Sequence, residues 1–194
     1  MKRVELEARL LRPLRTRRFH SFGEGSILHR PLWIYGPQQI AVGRNSLILH
    51  KVWLSVESPA WSQPAPTIAI GDRVGIRPWC TLSAAAGIVL EDDVILGAYS
   101  TVIDSDHTFR DGRPNVMHNP LDVEPIRIGR GTWIAERVAV LKGSSIGECC
   151  IIGANSVVKG EVPPYSIAAG APARVVGEVT GVDAHAPAFA DRLY

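Results

Sequence analysis

Cysteine and net charge are both scarce in this chain of 194 residues. The three cysteines, Cys80, Cys149 and Cys150, are odd in number and two are adjacent. That is poor material for a disulfide framework and fits a reducing compartment, so a cytoplasmic protein is expected. The formal net charge of +2 is too small for the total to argue for nucleic acid, and no nucleic-acid partner is expected. No run approaches the roughly 18–20 apolar residues that a membrane span needs. The basic N-terminus lacks the apolar stretch and small-residue cleavage pattern of a signal peptide. Aromatics are only 7%, against 18 glycines and 14 prolines, which points to many turns around a thin core rather than to long helices.

What is present is ordinary for a soluble globular domain: 46% hydrophobic and 21% charged residues, in a length suited to one sizeable domain with short appendages. The positive charge is unevenly spread, with Lys2, Arg3, Arg9, Arg12, Arg15, Arg17, Arg18 and Arg30 near the start. A solvated face is the ordinary reading of such a run, and contact with an acidic lipid or nucleic acid the sharper one.

An internal repeat decides the fold class. An apolar residue recurs every six positions at Ile70, Ile76 and Leu82, slips by two, and resumes at Leu90, Leu96 and Val102. After a gap it returns at Ile128, Ile134, Val140, Ile146, Ile152 and Val158. The fourth residue after each anchor is small throughout the series from Val74 and Cys80 to Ser156 and Val162, with Asp106 the single exception. A period of six is neither helical nor a simple alternation. It suits a chain in which three short strands make each triangular coil, one large apolar residue per side fills the interior, and a small residue leaves room at the corner. The fold class is therefore an all-β parallel β-helix of hexapeptide repeats.

The ends are looser. Val42 to Ile48 continue the pattern, which predicts an incomplete early coil from Ile27 to Leu54, while Ser58 to Pro66 read as a loop leading into the regular coils. Leu6, Leu10, Leu11 and Leu14 at near-helical spacing predict a short N-terminal helix over the first coil, limited by Pro13. Pro163-Pro164 is read as the end of the solenoid. The resulting division is a basic N-terminal cap (1–26), a β-helix domain (27–177) with an excursion loop (104–125), and a C-terminal tail (178–194).

Chemistry is expected where the repeat breaks. The interruption DSDHTFRDGRPNVMHNPLDVEP lies between coils in good register, so the chain must leave the solenoid and return. His107 stands at its start beside Asp104 and Asp106. A neutral imidazole can take a proton from an acceptor near neutral pH, and either aspartate could orient it, hold the acceptor or stabilise the loop turn. Asp106 ranks first of the two because of its anomalous place in the repeat.

The segment VIDSDHTF, the excursion, and then IRIGRGTWIAERVAVLKGSSIGECCIIGANSVVKGEVPPYSIAAGAPARVV resemble the hexapeptide-repeat O-acetyltransferases. Those acting on maltose, galactosides, nodulation factors and exopolysaccharides share the arrangement. The resemblance covers Pro66 to Val176 and the N-terminal third only in outline. It implies a left-handed β-helix, a homotrimer with a site shared between subunits, and acetyl-CoA as acyl donor. It also implies direct acetyl transfer to a sugar, glycan or nucleotide-sugar hydroxyl, with His107 as general base. The same resemblance assigns Trp133, Ala135 and Ala154 to the pantetheine arm, and offers Lys159 and Arg174 for the coenzyme's phosphates.

The departures are specific. Ala135 replaces a common glycine, Gly160 and Gly177 stand where relatives often carry cations, and Arg77-Pro78-Trp79-Cys80 occupies the neighbourhood of a sugar-binding asparagine. The alternatives are acetylation of an amino sugar, an antibiotic or serine, a non-catalytic binding protein, and a γ-type carbonic anhydrase. The last needs three convergent histidines, and the coils after His118 contain none. No metal site is expected.

Overall fold

All twelve anchors of the six-residue series point inward, and none is more than 3% exposed. The structure, a computed structural model, describes residues 16–57, 60–109 and 116–181. The chain winds through seven stacked coils, each passing three faces in turn, here named A, B and C. The first coil is Ser21–Phe22 (β1), Ile27–Leu28 (β2) and Trp33–Tyr35 (β3). The second is Ile40–Val42 (β4), Leu47–Ile48 (β5) and Trp53–Val56 (β6). The third is Ile68–Ile70 (β7), Gly75–Ile76 (β8) and Thr81–Ala84 (β9). The fourth is Ile88–Leu90 (β10), Ile95–Leu96 (β11) and Thr101–Ile103 (β12).

Between the fourth and fifth coils the chain makes a separate ribbon of Ser105–His107 (β13) and Leu121–Val123 (β14). The fifth coil is Ile126–Ile128 (β15), Trp133–Ile134 (β16) and Ala139–Leu141 (β17). The sixth is Ser145–Ile146 (β18), Ile151–Ile152 (β19) and Val157–Val158 (β20). Glu161–Val162 (β21) and Ser166–Gly170 (β22) begin a seventh, and Ala173–Glu178 (β23) folds back on β22. Face A is the ladder β1-β4-β7-β10-β15-β18-β21, face B is β2-β5-β8-β11-β16-β19-β22-β23, and face C is β3-β6-β9-β12-β17-β20. Pairing within the faces is parallel except for β22–β23.

The side chains explain both sequence rules. A face-A strand carries two inward residues, as in Ile68 and Ile70, Ile88 and Leu90, or Ile126 and Ile128. The two-residue slip between Leu82 and Leu90 is therefore an extra inward Ile88, not a fault in the coil. The small corner residues are buried, and their polar atoms stitch one coil to the next. Ser46 Oγ donates to the Gly71 carbonyl and accepts from the Val74 amide. Thr132 Oγ1 does the same with Gly147 and Cys150, and Ser100 Oγ with Ala135 and Val138. A longer side chain would leave those buried backbone groups unpaired. Glycine is demanded at Gly97, where an added Cβ would run into the backbone of Ala135 in the next coil.

Three expectations on element limits change. Winding starts at Ser21 and makes two complete coils before Val56, where one incomplete coil was expected from Ile27. Outward tryptophans, Trp33 and Trp53 on face C, hid the period there. The 57–67 segment lies within the solenoid rather than before it. Pro163-Pro164 does not end the winding: both fall in the turn between β21 and β22, and β22 still pairs in parallel with β19. Proline is tolerated there because no ladder amide is required of it. The expected N-terminal helix and most of the expected tail lie outside the described residues.

Candidate active site at the corner between faces C and A

Both excursions leave the solenoid at one corner. Glu57–Thr67 connects β6 of face C to β7 of face A, and Asp104–Pro125 connects β12 to β15. The coil between them closes with the short turn Ala85-Ala86-Gly87. The two excursions thus emerge two coils apart, on the order of 10 Å along the axis, with a floor of small residues between them.

Asp104 fastens that floor. It is fully buried, and its two carboxylate oxygens accept from the amides of Ala85 (2.7 Å), Ala86 (2.8 Å) and Gly87 (2.6 Å). Its carbonyl accepts from the Glu124 amide on the returning strand, at 3.0 Å. Of the roles open to Asp104, the geometry shows turn stabilisation, with both oxygens spent on backbone.

His107 is the last residue of β13, exposed and opposite Leu121 in the antiparallel ribbon. Pairing continues past it: Thr108 Oγ1 donates to the Pro120 carbonyl at 2.9 Å, and Asn119 Nδ2 to the Thr108 carbonyl at 2.6 Å. The expected loop is therefore a structured ribbon at the histidine. Asp106 is exposed and directly faces Asp122 across it. Its anomalous place in the repeat has a simple cause, since the chain has already left the coil and the corner position belongs to Asp104. Lys142, in the turn after β17, reaches Asp122 Oδ2 at 2.6 Å and Glu124 Oε1 at 3.8 Å. The hydrogen bond it donates to Asp122 and the surrounding carboxylates hold its ammonium above the ordinary lysine range. The sequence reading missed Lys142. A signal was there, one lysine in the next coil against five acids in the excursion, but only the ribbon register brings Lys142 to Asp122 and Glu124.

The residues offered for the coenzyme lie elsewhere. Trp133 is outward on face B, 47% exposed, between Ile95 and Ile151 of the adjoining strands. Ala135 and Ala154 follow in the corner between faces B and C, and Arg174 is exposed on β23, at the end of face B. Ala135 is 6% exposed, its amide donating to the Ile152 carbonyl and its carbonyl accepting from Ser100. Ala154 is exposed. Lys159 is also exposed but stands in the corner between C and A, away from face B. Within one chain the structure thus forms two groups, His107 with Asp104 and Asp106 in one place, and Trp133, Ala135, Ala154 and Arg174 in another. Among the described residues no group of three His, Cys, Asp or Glu side chains is placed to hold a metal ion, and no helix is long and apolar enough to cross a membrane.

A stacked-coil prism wound on a six-residue repeat, with a histidine-bearing ribbon at one corner, defines a hexapeptide-repeat β-helix. The bacterial transferase hexapeptide family (six repeats) matches residues 125–160. It is 36% identical over 110 residues to a probable acetyltransferase of Mycobacterium tuberculosis, covering 57% of this chain and 37% of that one. It is 26% identical over 150 residues to the galactoside O-acetyltransferase of Escherichia coli, covering 74% of this chain and 73% of that one. The chain thus spans little more than a third of the first relative's length. Among solved structures it resembles AntD, an N-acyltransferase from Bacillus cereus, in complex with dTDP and 3-hydroxybutyryl-CoA. There the TM-score is 0.72 and the identity 19%, over 86% of this chain and 87% of that one. The left-handed parallel β-helix is the shared fold.

Proposed function

We propose that this protein is an acetyl-CoA-dependent O-acetyltransferase acting on a hydroxyl of a sugar, glycan or nucleotide-sugar, with His107 as general base. The observation that carries the reading is the placement of His107 on a braced ribbon at the one corner where both excursions leave the solenoid. His107 takes the proton of the acceptor hydroxyl, and the oxygen attacks the thioester carbonyl. The carbon–sulfur bond then breaks, the acetyl group passes to the acceptor, and the coenzyme thiol leaves with a proton. The small-residue floor between the excursions, fastened by Asp104, supplies room for the acceptor.

The corner between faces C and A is the one opposite face B, so His107 and Trp133 point to different sides of the prism, on the order of 15 Å apart across a coil of short strands. A site using both residues draws His107 from one copy and Trp133 from another, which supports a homotrimer with the coenzyme in the groove between subunits. Arg174 on face B then serves the coenzyme's phosphates, while Lys159 reaches them only from the histidine side. Cysteine usage supports a cytoplasmic location. The chain is similar to both an O-acetyltransferase and an N-acyltransferase, so acylation of an amine is the competing reading. An acceptor screen with labelled acetyl-CoA separates the two: label on sugars bearing only hydroxyls supports the proposal, and label confined to amines overturns it.

A further inference from the structure

We propose that Lys142 is a positioning residue for His107, an electrostatic latch that holds the ribbon in register from the following coil. The inference rests on the assignment of His107 as the base. Asp106 and Asp122 are directly opposed in the ladder, one residue from the His107–Leu121 pair. Like charges in that relation push a two-stranded ribbon apart. Lys142 brings positive charge to that side of the ribbon, with its ammonium 2.6 Å from Asp122 and 3.8 Å from Glu124.

The turn bearing Lys142 is shaped to receive the ribbon. Gly143 sits at φ +70, and a Cβ there would collide with the Glu124 carboxylate. The Gly143 amide donates to the Glu124 carbonyl at 3.1 Å. An ordinary surface ion pair contributes little, but this lysine is not ordinarily exposed. Its side chain is 14% exposed, whereas the arginines paired with Asp72, Glu91 and Glu148 are 71%, 53% and 55% exposed. Asp104 grips the ribbon's base from the coil before it and Lys142 from the coil after it, so His107 leaves the solenoid between two fixed points. Lys142 also balances the two aspartates electrically, so their negative field does not fall undiminished on the imidazole.

The test uses the full chain with Lys142→Met, Lys142→Arg and the double variant Lys142→Met/Asp122→Asn. Lys142→Met is expected to lower kcat about tenfold with little change in the KM for acetyl-CoA. It should move the acid limb of kcat/KM upward by roughly half a pH unit, since removing a positive charge beside the carboxylates favours the imidazolium. Lys142→Arg should restore both, and the double variant should return the limb toward its original position. The His107 ring-proton titration, followed by NMR and assigned with His107→Gln, reads the same shift without turnover. That separates failure of the latch from failure of the acetyltransferase reading. An unmoved His107 titration in Lys142→Met, or a shift that Asp122→Asn does not reverse, would overturn the proposal.

Discussion

The corner between faces A and B and the corner between faces C and A are made from the same repeat, yet they do opposite things. At the A–B corner every coil turns tightly, and the next coil repeats the turn. Buried Ser26, Ser46 and Thr132 bond from coil to coil, and outside them charged side chains pair along the axis. Arg44 meets Asp72 at 3.2 Å, Arg73 meets Asp93 at 2.7 Å, and Arg130 meets Glu148 at 3.0 Å. The B–C corner is similarly continuous: Lys51 lies over Trp79, Trp79 stacks on Tyr99 with planes 3° apart, and Arg137 lies over Tyr99. At the C–A corner the repetition is broken by two excursions, and each break needs its own fastening. Periodicity lets each neighbour satisfy the next, whereas an excursion must be held by residues with no counterpart in other coils. The proposed base, His107, stands where that individual bracing exists.

The sharpest way to break the contrast is to remove a fastening that no neighbour duplicates. Asp104→Ala leaves three backbone amides, now paired with one buried carboxylate, without acceptors. Each unsatisfied buried group costs about 1–3 kcal/mol, so a loss near 4 kcal/mol is expected after partial rehydration of the turn. Urea denaturation measures it, and activity should fall in the same variant because the ribbon's base is freed. A midpoint unchanged from wild type would show that the C–A corner is no more individually braced than the others.

His107→Ala tests the functional half of the comparison. Turnover is expected to fall at least a hundredfold, about 2.7 kcal/mol of transition-state stabilisation. Acetyl-CoA binding and thermal stability should stay near wild type, because the side chain is exposed at the tip of the ribbon's described pairs. Steady-state kinetics with the acceptor found in the screen, and calorimetric titration with acetyl-CoA, supply the two readouts. Near-normal turnover would remove His107 from the mechanism.

These two residues also show how legible the sequence was. His107 could be singled out because a break in a regular period is visible in one dimension. The solenoid was legible for the same reason: anchor and small corner residue are fixed by neighbours six positions away, and the intervening turns are alike. Asp106 ranked above Asp104 in the sequence for its odd place in the period, but which of them occupies the last corner depends on where the chain departs from the coil. That point is set by bonds to Ala85, Ala86 and Gly87 in the preceding coil. Lys142 was invisible for a related reason, since its partners are joined to it only by the ribbon's register. The first two coils were under-read because exposed tryptophans on face C look like core residues when only hydrophobicity is counted. Local period is written in sequence, and coil-to-coil bracing is not.

One further expected effect lies at a regular corner and appears only at high pH. Cys80 fills the inward B–C corner position that Ser100 and Ser156 fill in later coils, and its thiol donates to the Gly97 carbonyl at 3.0 Å. Burial pushes its pKa up to about 11. The unfolded chain therefore releases this proton at lower pH than the folded one. The thiol's contribution is fully present below the unfolded value of roughly 8.5 and is lost as pH rises toward 11. Each pKa unit is worth about 1.4 kcal/mol, so wild type should lose about 3 kcal/mol of stability by pH 11 through this residue. Cys80→Ser keeps a donor of similar size that does not titrate there, so its stability should fall less steeply between pH 8.5 and 11. Denaturation curves at fixed pH steps measure the difference. Parallel slopes would mean that the B–C corner opens to solvent more readily than its repeated packing implies, and the regular and irregular corners would then differ less than the geometry indicates.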